Sequence, residues 1–213
     1  LLVGMYALRA LQTANFHDFE EIAFFFNSDE EIGSPASRPL YEPVVRRMDA
    51  ALVLESARAN GDIVSARKGS GEFVLRVTGK AAHAGVEPEK GSNAVVELAH
   101  QLIALQSLNG IMPGVTVSPG VISGGTKPNV VPDQASVVID VRAIDPAGAE
   151  AITQALTSLP ARTTVPGTRA EISGHISYPP MARTPAVRFL AELARDSARE
   201  LGFEINDVAT GGA

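Results

Sequence analysis

The most constraining feature of this sequence is the order of strand-like and helix-like segments in its central part. Apolar residues alternate with polar ones or recur at helical spacing in the order β, α, β, β, α, β, over residues 73–78, 93–108, 115–122, 135–141, 146–159 and 169–172. This order is the split βαβ pattern, which folds as an antiparallel sheet with two helices on one face. We therefore predict a compact ferredoxin-like domain in the middle of the chain.

A different α/β pattern flanks this domain. Residues 21–26 and 50–54 are short apolar runs, and residues 39–48 between them have helical character. Strand, helix and strand in this order predict a βαβ unit with two parallel strands. Further helical patterns lie at 1–11 and 186–201. We therefore expect an α/β core that is interrupted by the ferredoxin-like insert, with domains at 1–67, 68–178 and 179–213.

Carboxylates cluster at two places in this core. Asp29, Glu30 and Glu31 follow the first predicted strand, and Glu55 follows the second. Because the carboxyl ends of parallel strands meet at one edge of a sheet, these side chains are expected to converge there, as the ligands of an oxygen-coordinated metal do. The alternative for the first group is an acidic turn that caps the following helix.

Three further polar side chains lie in loops or at a strand end of the predicted insert. His83 lies in a loop of small residues, where the backbone can approach a partner closely; the alternative is a solvent-exposed loop histidine. Asn129 lies in a loop bracketed by Pro128 and Pro132, which turn chemistry explains equally well. Arg142 ends a predicted strand, either as a solvated edge residue or as a fork that binds a carboxylate.

Composition argues against several classes of function. The chain has no Cys, so any metal must be held by His and carboxylate side chains. With 18 Lys and Arg against 24 Asp and Glu, the net charge is −6, and no basic stripe suits a nucleic acid. No apolar run approaches the ~20 residues that a membrane span requires. We therefore expect a soluble, cytoplasmic protein without nucleic-acid or membrane partners.

Four motifs in this sequence resemble those of the M20 family of metallopeptidases, the carboxypeptidase G2-like zinc enzymes that include amino-acid deacylases. The motifs are Asp29-Glu30-Glu31-Ile32-Gly33-Ser34, then Glu55, then residues 79–85 (GKAAHAG), and finally residues 125–132 (GTKPNVVP) followed by Asp140-Val141-Arg142. The resemblance extends over essentially the whole chain. It implies a zinc-peptidase-type α/β catalytic core that is interrupted by a ferredoxin-like lid, or dimerisation, domain.

The resemblance also implies a metal centre and a general base. The complete enzyme would hold two zinc ions, with Glu31 as a ligand of one and Glu55 as a ligand of the other. Glu30 would take the proton of the attacking water and later deliver it to the leaving amine.

Substrate contacts and a partner subunit follow from the same resemblance. His83 would reach the active site of a second copy in a homodimer and stabilise the developing oxyanion there. Asn129 and Arg142 would hold the substrate, a small peptide or N-acyl amino acid, and Arg142 would pair with its terminal carboxylate.

Other ligands of the family's zinc ions, among them two His and a bridging Asp, have no counterpart in this sequence. We therefore expect an interior fragment that by itself binds zinc weakly and hydrolyses nothing. The expected function of the whole protein is release of a C-terminal amino acid, with glutamate as the candidate. The alternatives are an N-acyl-amino-acid deacylase of the same family and a non-catalytic dimerisation module.

Overall fold

A computed structural model describes residues 2–55 and 58–211 of the chain. By their internal contacts the residues form two units, Leu1–Ala59 and Asn60–Ala213, and each is described by itself. The first unit contains the helices α1 (Leu2–Thr13) and α2 (Arg38–Val45), with a 3₁₀ turn at Glu30–Ile32 between them. The helices predicted at 1–11 and 39–48 are therefore confirmed, apart from Leu1, which lies outside the described residues.

The two strands predicted at 21–26 and 50–54 are wrong. Neither segment forms a strand in the described part of the first unit, so the predicted βαβ unit is not present there. Parallel strands occur where other elements cover both faces of the sheet. Here the apolar side chains of Phe26 and Val53 are 65% and 78% exposed, so this cover is lacking.

The second unit carries the remaining regular elements of the described chain. In chain order they are β1 (Ile63–Arg67), β2 (Gly69–Thr78), α3 (Ala94–Ser107), β3 (Thr116–Gly124), β4 (Gln134–Ala143), α4 (Pro146–Ser158), β5 (Arg169–Tyr178), α5 (Pro185–Glu200) and β6 (Asp207–Thr210). Strands β2 to β5 form one antiparallel sheet in the order β3-β4-β2-β5. The ferredoxin-like prediction is confirmed.

The core of this unit lies between the antiparallel sheet and the helices α3 and α4. Alternate side chains of the two central strands point to the helices and are almost fully buried: Phe73, Leu75, Val77, Val137, Ile139 and Val141. They pack with Leu98, Leu105, Ile152 and Leu156 of the two helices. The side chains between them lie on the opposite side of the sheet, which we call the open face and which carries Glu72, Arg76, Asp140 and Arg142.

Helix starts in this unit follow from their capping side chains. The Asn93 side chain accepts hydrogen bonds from the amides of Val95 and Val96 at the start of α3, and Asp145 accepts one from Gly148 at the start of α4. Asp145 immediately precedes the segment 146–159 that was predicted to be helical. The two helices are thus placed by local signals that are visible in the sequence.

Strand pairing between β1 and β6 was not predicted. The two strands are parallel, with Ile63 opposite Asp207 and Arg67 opposite Thr210. Each strand is too short for a clear periodicity, and their pairing joins segments that are far apart in sequence, which local patterns do not reveal.

Strand β2 begins earlier than the alternation from Phe73 indicated. Its first residues, from Gly69 onward, pair with both β4 and β5. A Cβ atom on Gly71 would lie 2.5 Å from the carbonyl oxygen of His175 and 2.8 Å from the Cα of Ile176. Glycine therefore permits β5 to approach β2 closely at this end of the sheet.

None of the helices in residues 2–55 and 58–211 combines the length and the apolar character that crossing a bilayer requires.

Candidate functional site

The first group of carboxylates forms a tight turn at residues 29–34, which we call the carboxylate turn. Asp29 Oδ2 accepts hydrogen bonds from the amides of Ala36 (2.8 Å) and Ser37 (3.1 Å), and Oδ1 accepts one from the Ser37 hydroxyl (2.5 Å). The hydroxyl contact is the main reason why the pKa of the Asp29 carboxyl is lowered; burial opposes this effect, and the amides add to it. Asp29 therefore holds the segment that immediately precedes α2, although it is not the N-cap of this helix, which is Ser37.

Glu30 and Glu31 behave differently from Asp29. Both side chains are exposed, and neither makes a hydrogen bond or ion pair with another described residue. The chain reverses after them through Gly33 (φ 89°) and Ser34 (φ 56°), and left-handed backbone is rare for serine. Asn27 Nδ2 donates to the Ser34 hydroxyl over 3.0 Å and holds this reversal. In the carboxylate turn, Asp29 therefore stabilises the local structure, whereas the carboxylates of Glu30 and Glu31 are free to contact a metal, water or substrate.

A zinc centre cannot be completed from the described residues of this chain. Glu55 is exposed and immediately precedes residues 56 and 57, which lie outside the described part. No group of three or more His, Asp or Glu side chains within residues 2–55 and 58–211 is arranged to hold a metal ion. Zinc normally takes at least three protein ligands, with His prominent among them. The residues present therefore do not by themselves fit the zinc ions that the resemblance implies, and the assignment of Glu31 and Glu55 as ligands stays a prediction.

His83 and Asn129 are brought together at one end of the antiparallel sheet. The amide of Ala84 donates to the Asn129 carbonyl (3.0 Å), and the amide of Val131 donates to the Ala82 carbonyl (2.9 Å). The two loops that follow β2 and precede β4 therefore pair as a short antiparallel ladder. Sequence reasoning singled out both residues but could not show that their loops are hydrogen-bonded to each other.

The His83 ring is held in a defined state by its own loop. Its Nδ1 accepts a hydrogen bond from the Gly85 amide over 3.2 Å. An acceptor nitrogen carries no proton, so this contact assigns the proton of the neutral imidazole to Nε2. His83 can then donate a hydrogen bond through Nε2, as the stabilisation of an oxyanion requires.

Arg142 lies at the other end of the sheet. His83 and Asn129 adjoin the start of β4 at Gln134, whereas Arg142 is eight residues further along this strand, roughly 26 Å at the rise of an extended chain. Arg142 therefore does not share a site with His83 and Asn129 of the same chain. The resemblance implied that His83 serves the active site of a second copy, whereas Asn129 and Arg142 hold the substrate; within one chain Asn129 lies with His83 and not with Arg142.

The guanidinium of Arg142 is oriented by Asp140. Its Nε donates to Asp140 Oδ1 (3.1 Å) and Oδ2 (3.0 Å), and the two residues are neighbours on the open face. The terminal nitrogens of Arg142 form no hydrogen bond with any other described residue, so they can pair with a carboxylate.

A cavity of about 160 Å³ on the open face adjoins this guanidinium. It is lined by Ser70, Gly71, Glu72, Asp140, Arg142, Ser177 and Tyr178. Sequence reasoning found only Arg142 among these as a site residue. The alternation along β2 could have placed Glu72 on the face opposite the core, but the pairing of β2 with β4 was needed to place it beside Arg142.

Comparisons with known proteins agree with this fold. Residues 65–168 match a family model described as a peptidase dimerisation domain of the M20 group. Carboxypeptidase G2 from Pseudomonas sp. is 30% identical over 141 residues, which are 66% of this chain and 34% of that protein. Acetylornithine deacetylase from Myxococcus xanthus is 30% identical over 143 residues, 62% of this chain and 37% of that protein.

Solved structures show a similar fold over more of the chain. The aminopeptidase PepT from Bacillus cereus superposes with a TM-score of 0.76 and 25% identity, covering 97% of this chain and 55% of that one. The chain thus spans about a third to a half of the length of these relatives. The antiparallel sheet with its two helices, the four sequence motifs and these likenesses lead to one conclusion: the chain belongs to the M20 family of metallopeptidases.

Proposed function

We propose that this chain is part of a hydrolase that cleaves an amide bond and releases an amino acid with a free carboxylate. The observation that carries the proposal is the Arg142 guanidinium, which Asp140 holds through Nε while its terminal nitrogens stay free beside a cavity. A planar guanidinium held in this way binds a carboxylate through two parallel hydrogen bonds. The relatives support the proposal, because the names carboxypeptidase and acetylornithine deacetylase both denote release of an amino acid.

The reaction needs a base and a group that stabilises negative charge on the amide oxygen. Glu30 is exposed and unpaired, so we assign to its carboxylate the proton of the attacking water and the return of that proton to the leaving amine. The Nε2–H of His83 donates to the oxygen of the scissile carbonyl, and Asn129 in the paired loop contacts the substrate.

Metal dependence is general in the M20 family, and we propose zinc for the complete protein. Glu31 and Glu55 are the carboxylates of this chain that we assign to it.

The position of the proposed site residues supports a homodimer. Because Arg142 and His83 lie at opposite ends of β4, one chain cannot direct both to the same substrate, whereas two chains can. Of the two edge strands, β3 lies within the residues that match the dimerisation domain and β5 lies outside them. Val121 and Ile122 of β3 are 64% and 59% exposed, as expected for an apolar surface that another chain covers. We propose that two chains associate along β3.

We expect the substitution Val121→Lys to abolish this association. The 213-residue chain should sediment as a dimer at micromolar concentrations, and the variant as a monomer, because a charge on an edge strand opposes pairing with a second strand. Ser173→Lys on the edge strand β5 is the matched control and should leave the dimer intact. A monomeric wild-type chain, or dissociation caused by the β5 variant alone, would contradict the proposed interface.

The function itself is tested with the complete protein that contains this chain. We expect it to hydrolyse N-acyl amino acids or dipeptides, and Arg142→Ala to raise KM for them by about tenfold or more, since a charged hydrogen bond contributes about 1.5–3 kcal/mol. Substrates whose carboxylate is amidated should be hydrolysed poorly and should not be affected by the substitution. Arg76→Ala removes an arginine of the same open face that does not line the cavity, and should have no effect. If Arg142→Ala impaired hydrolysis equally for substrates with a free carboxylate and for substrates with an amidated one, Arg142 would be excluded as the carboxylate ligand.

A further inference from the structure

The cavity beside Arg142 contains one carboxylate that no protein group neutralises. Both oxygens of Asp140 are bound to Arg142 Nε, so these two charges compensate each other. Glu72 lines the same cavity and forms no ion pair or side-chain hydrogen bond with another described residue. The charged groups that line the cavity, Glu72, Asp140 and Arg142, therefore sum to one net negative charge.

The pairing of β2 with β4 places Glu72 close to the guanidinium. Ser70 is opposite Arg142, and Glu72 is opposite Asp140, so Glu72 and Arg142 occupy diagonal positions on the open face. Such diagonal neighbours are about 7–8 Å apart, within reach of one another's long side chains. An amino acid whose carboxylate is bound by Arg142 would extend its own side chain over this same small area.

Other charged groups near Glu72 do not cancel its charge. His175 lies opposite it on β5 but forms no ion pair with it, and Arg76, four residues along β2, donates to the Ser173 hydroxyl instead. The remaining lining side chains, from Ser70, Ser177 and Tyr178, bring hydroxyl groups and no charge.

We infer that Glu72 is a specificity-determining residue that favours a released amino acid with a basic or neutral polar side chain and disfavours an acidic one. An acidic side chain next to Glu72 meets like charge, which weakens binding, whereas a basic side chain forms a favourable pair. This inference rests on the proposed function, and it differs from the glutamate that the resemblance implied.

The test compares three substrates that share one acyl group and differ in the released amino acid: lysine, glutamine and glutamate. With the complete protein we expect kcat/KM to fall in that order. Glu72→Gln should reduce the ratio of lysine to glutamate by about tenfold, an effect of about 1.4 kcal/mol. Glu72→Lys should reverse the order, and high salt should weaken the wild-type preference because the cavity is open to solvent.

The matched control is Glu171→Gln, which removes an exposed carboxylate of β5 that does not line the cavity. It should leave the three rates in their wild-type ratio. A wild-type preference for glutamate, or a ratio that Glu72→Gln does not change, would overturn the inference while a loss with Arg142→Ala still upholds the proposed function. Failure to hydrolyse all three substrates would overturn the proposed function, and the inference with it.

Discussion

Replacing Glu97 by Ala is expected to lower the free energy of unfolding of the second unit by about 3 kcal/mol. Glu97 lies on α3 and is fully buried. Its Oε2 accepts hydrogen bonds from the amides of Thr164 and Val165 (both 2.7 Å), and its Oε1 accepts one from Gln101 Nε2 (2.7 Å). Alanine would leave these donors without an acceptor and release the segment that leads into β5.

The contribution of Glu97 to the free energy of unfolding should decrease as the pH is lowered. Burial raises the pKa of the Glu97 carboxyl, but the hydrogen bonds from Gln101, Val165 and Thr164 outweigh it, and the net pKa is lowered. A carboxyl whose pKa is lower in the folded state stabilises the fold above its unfolded pKa, about 4.3, and loses this contribution as the pH falls through the folded value. The difference between wild type and variant should therefore be greatest near neutral pH and shrink in acid.

Urea unfolding of the 213-residue chain at several pH values measures both expectations. Glu150→Ala, which removes an exposed glutamate of α4, is the control and should change stability by less than about 0.5 kcal/mol. Glu97→Gln keeps one hydrogen-bond acceptor, so its loss of unfolding free energy should lie between those of Glu97→Ala and Glu150→Ala. If Glu97→Ala matches the control, the buried carboxylate does not hold α3 to residues 164 and 165.

Replacing Glu30 by Gln in the complete protein is expected to reduce kcat by about 10²–10⁴, the usual contribution of a general base. The amide of glutamine has the same size but cannot accept the proton of the attacking water. Since Glu30 is exposed and has no partner among the described residues, the melting temperature should not change.

Asp29→Asn is the informative comparison for this substitution. Asp29 accepts three hydrogen bonds from Ala36 and Ser37, so its replacement should lower the melting temperature. The two substitutions should thus have different effects: Glu30→Gln should lower kcat, and Asp29→Asn should lower the melting temperature. Retained turnover in Glu30→Gln would exclude Glu30 as the base.

The ferredoxin-like insert was predictable because its signals are local. Alternation along β2 and β4, helical spacing in α3 and α4, and the capping residues Asn93 and Asp145 each depend on a few neighbouring residues. The same kind of evidence failed at 21–26 and 50–54. There the apolar runs had the composition of strands, but a strand exists only when another strand is hydrogen-bonded to it, and the run itself does not show this.

The sequence by itself determined the class of the fold and the identity of the candidate residues, and it showed that four motifs together resemble one family. Tertiary structure alone decided how those residues are grouped. In the folded chain, Asp29 accepts hydrogen bonds from the segment before α2, and the loops of His83 and Asn129 pair with each other. Arg142 lies at the far end of β4, with Glu72 beside it. The physical reason is that residue types and periodicity reflect short-range preferences, whereas the distance between two side chains is set by strand register and strand length, which depend on partners far away in the chain.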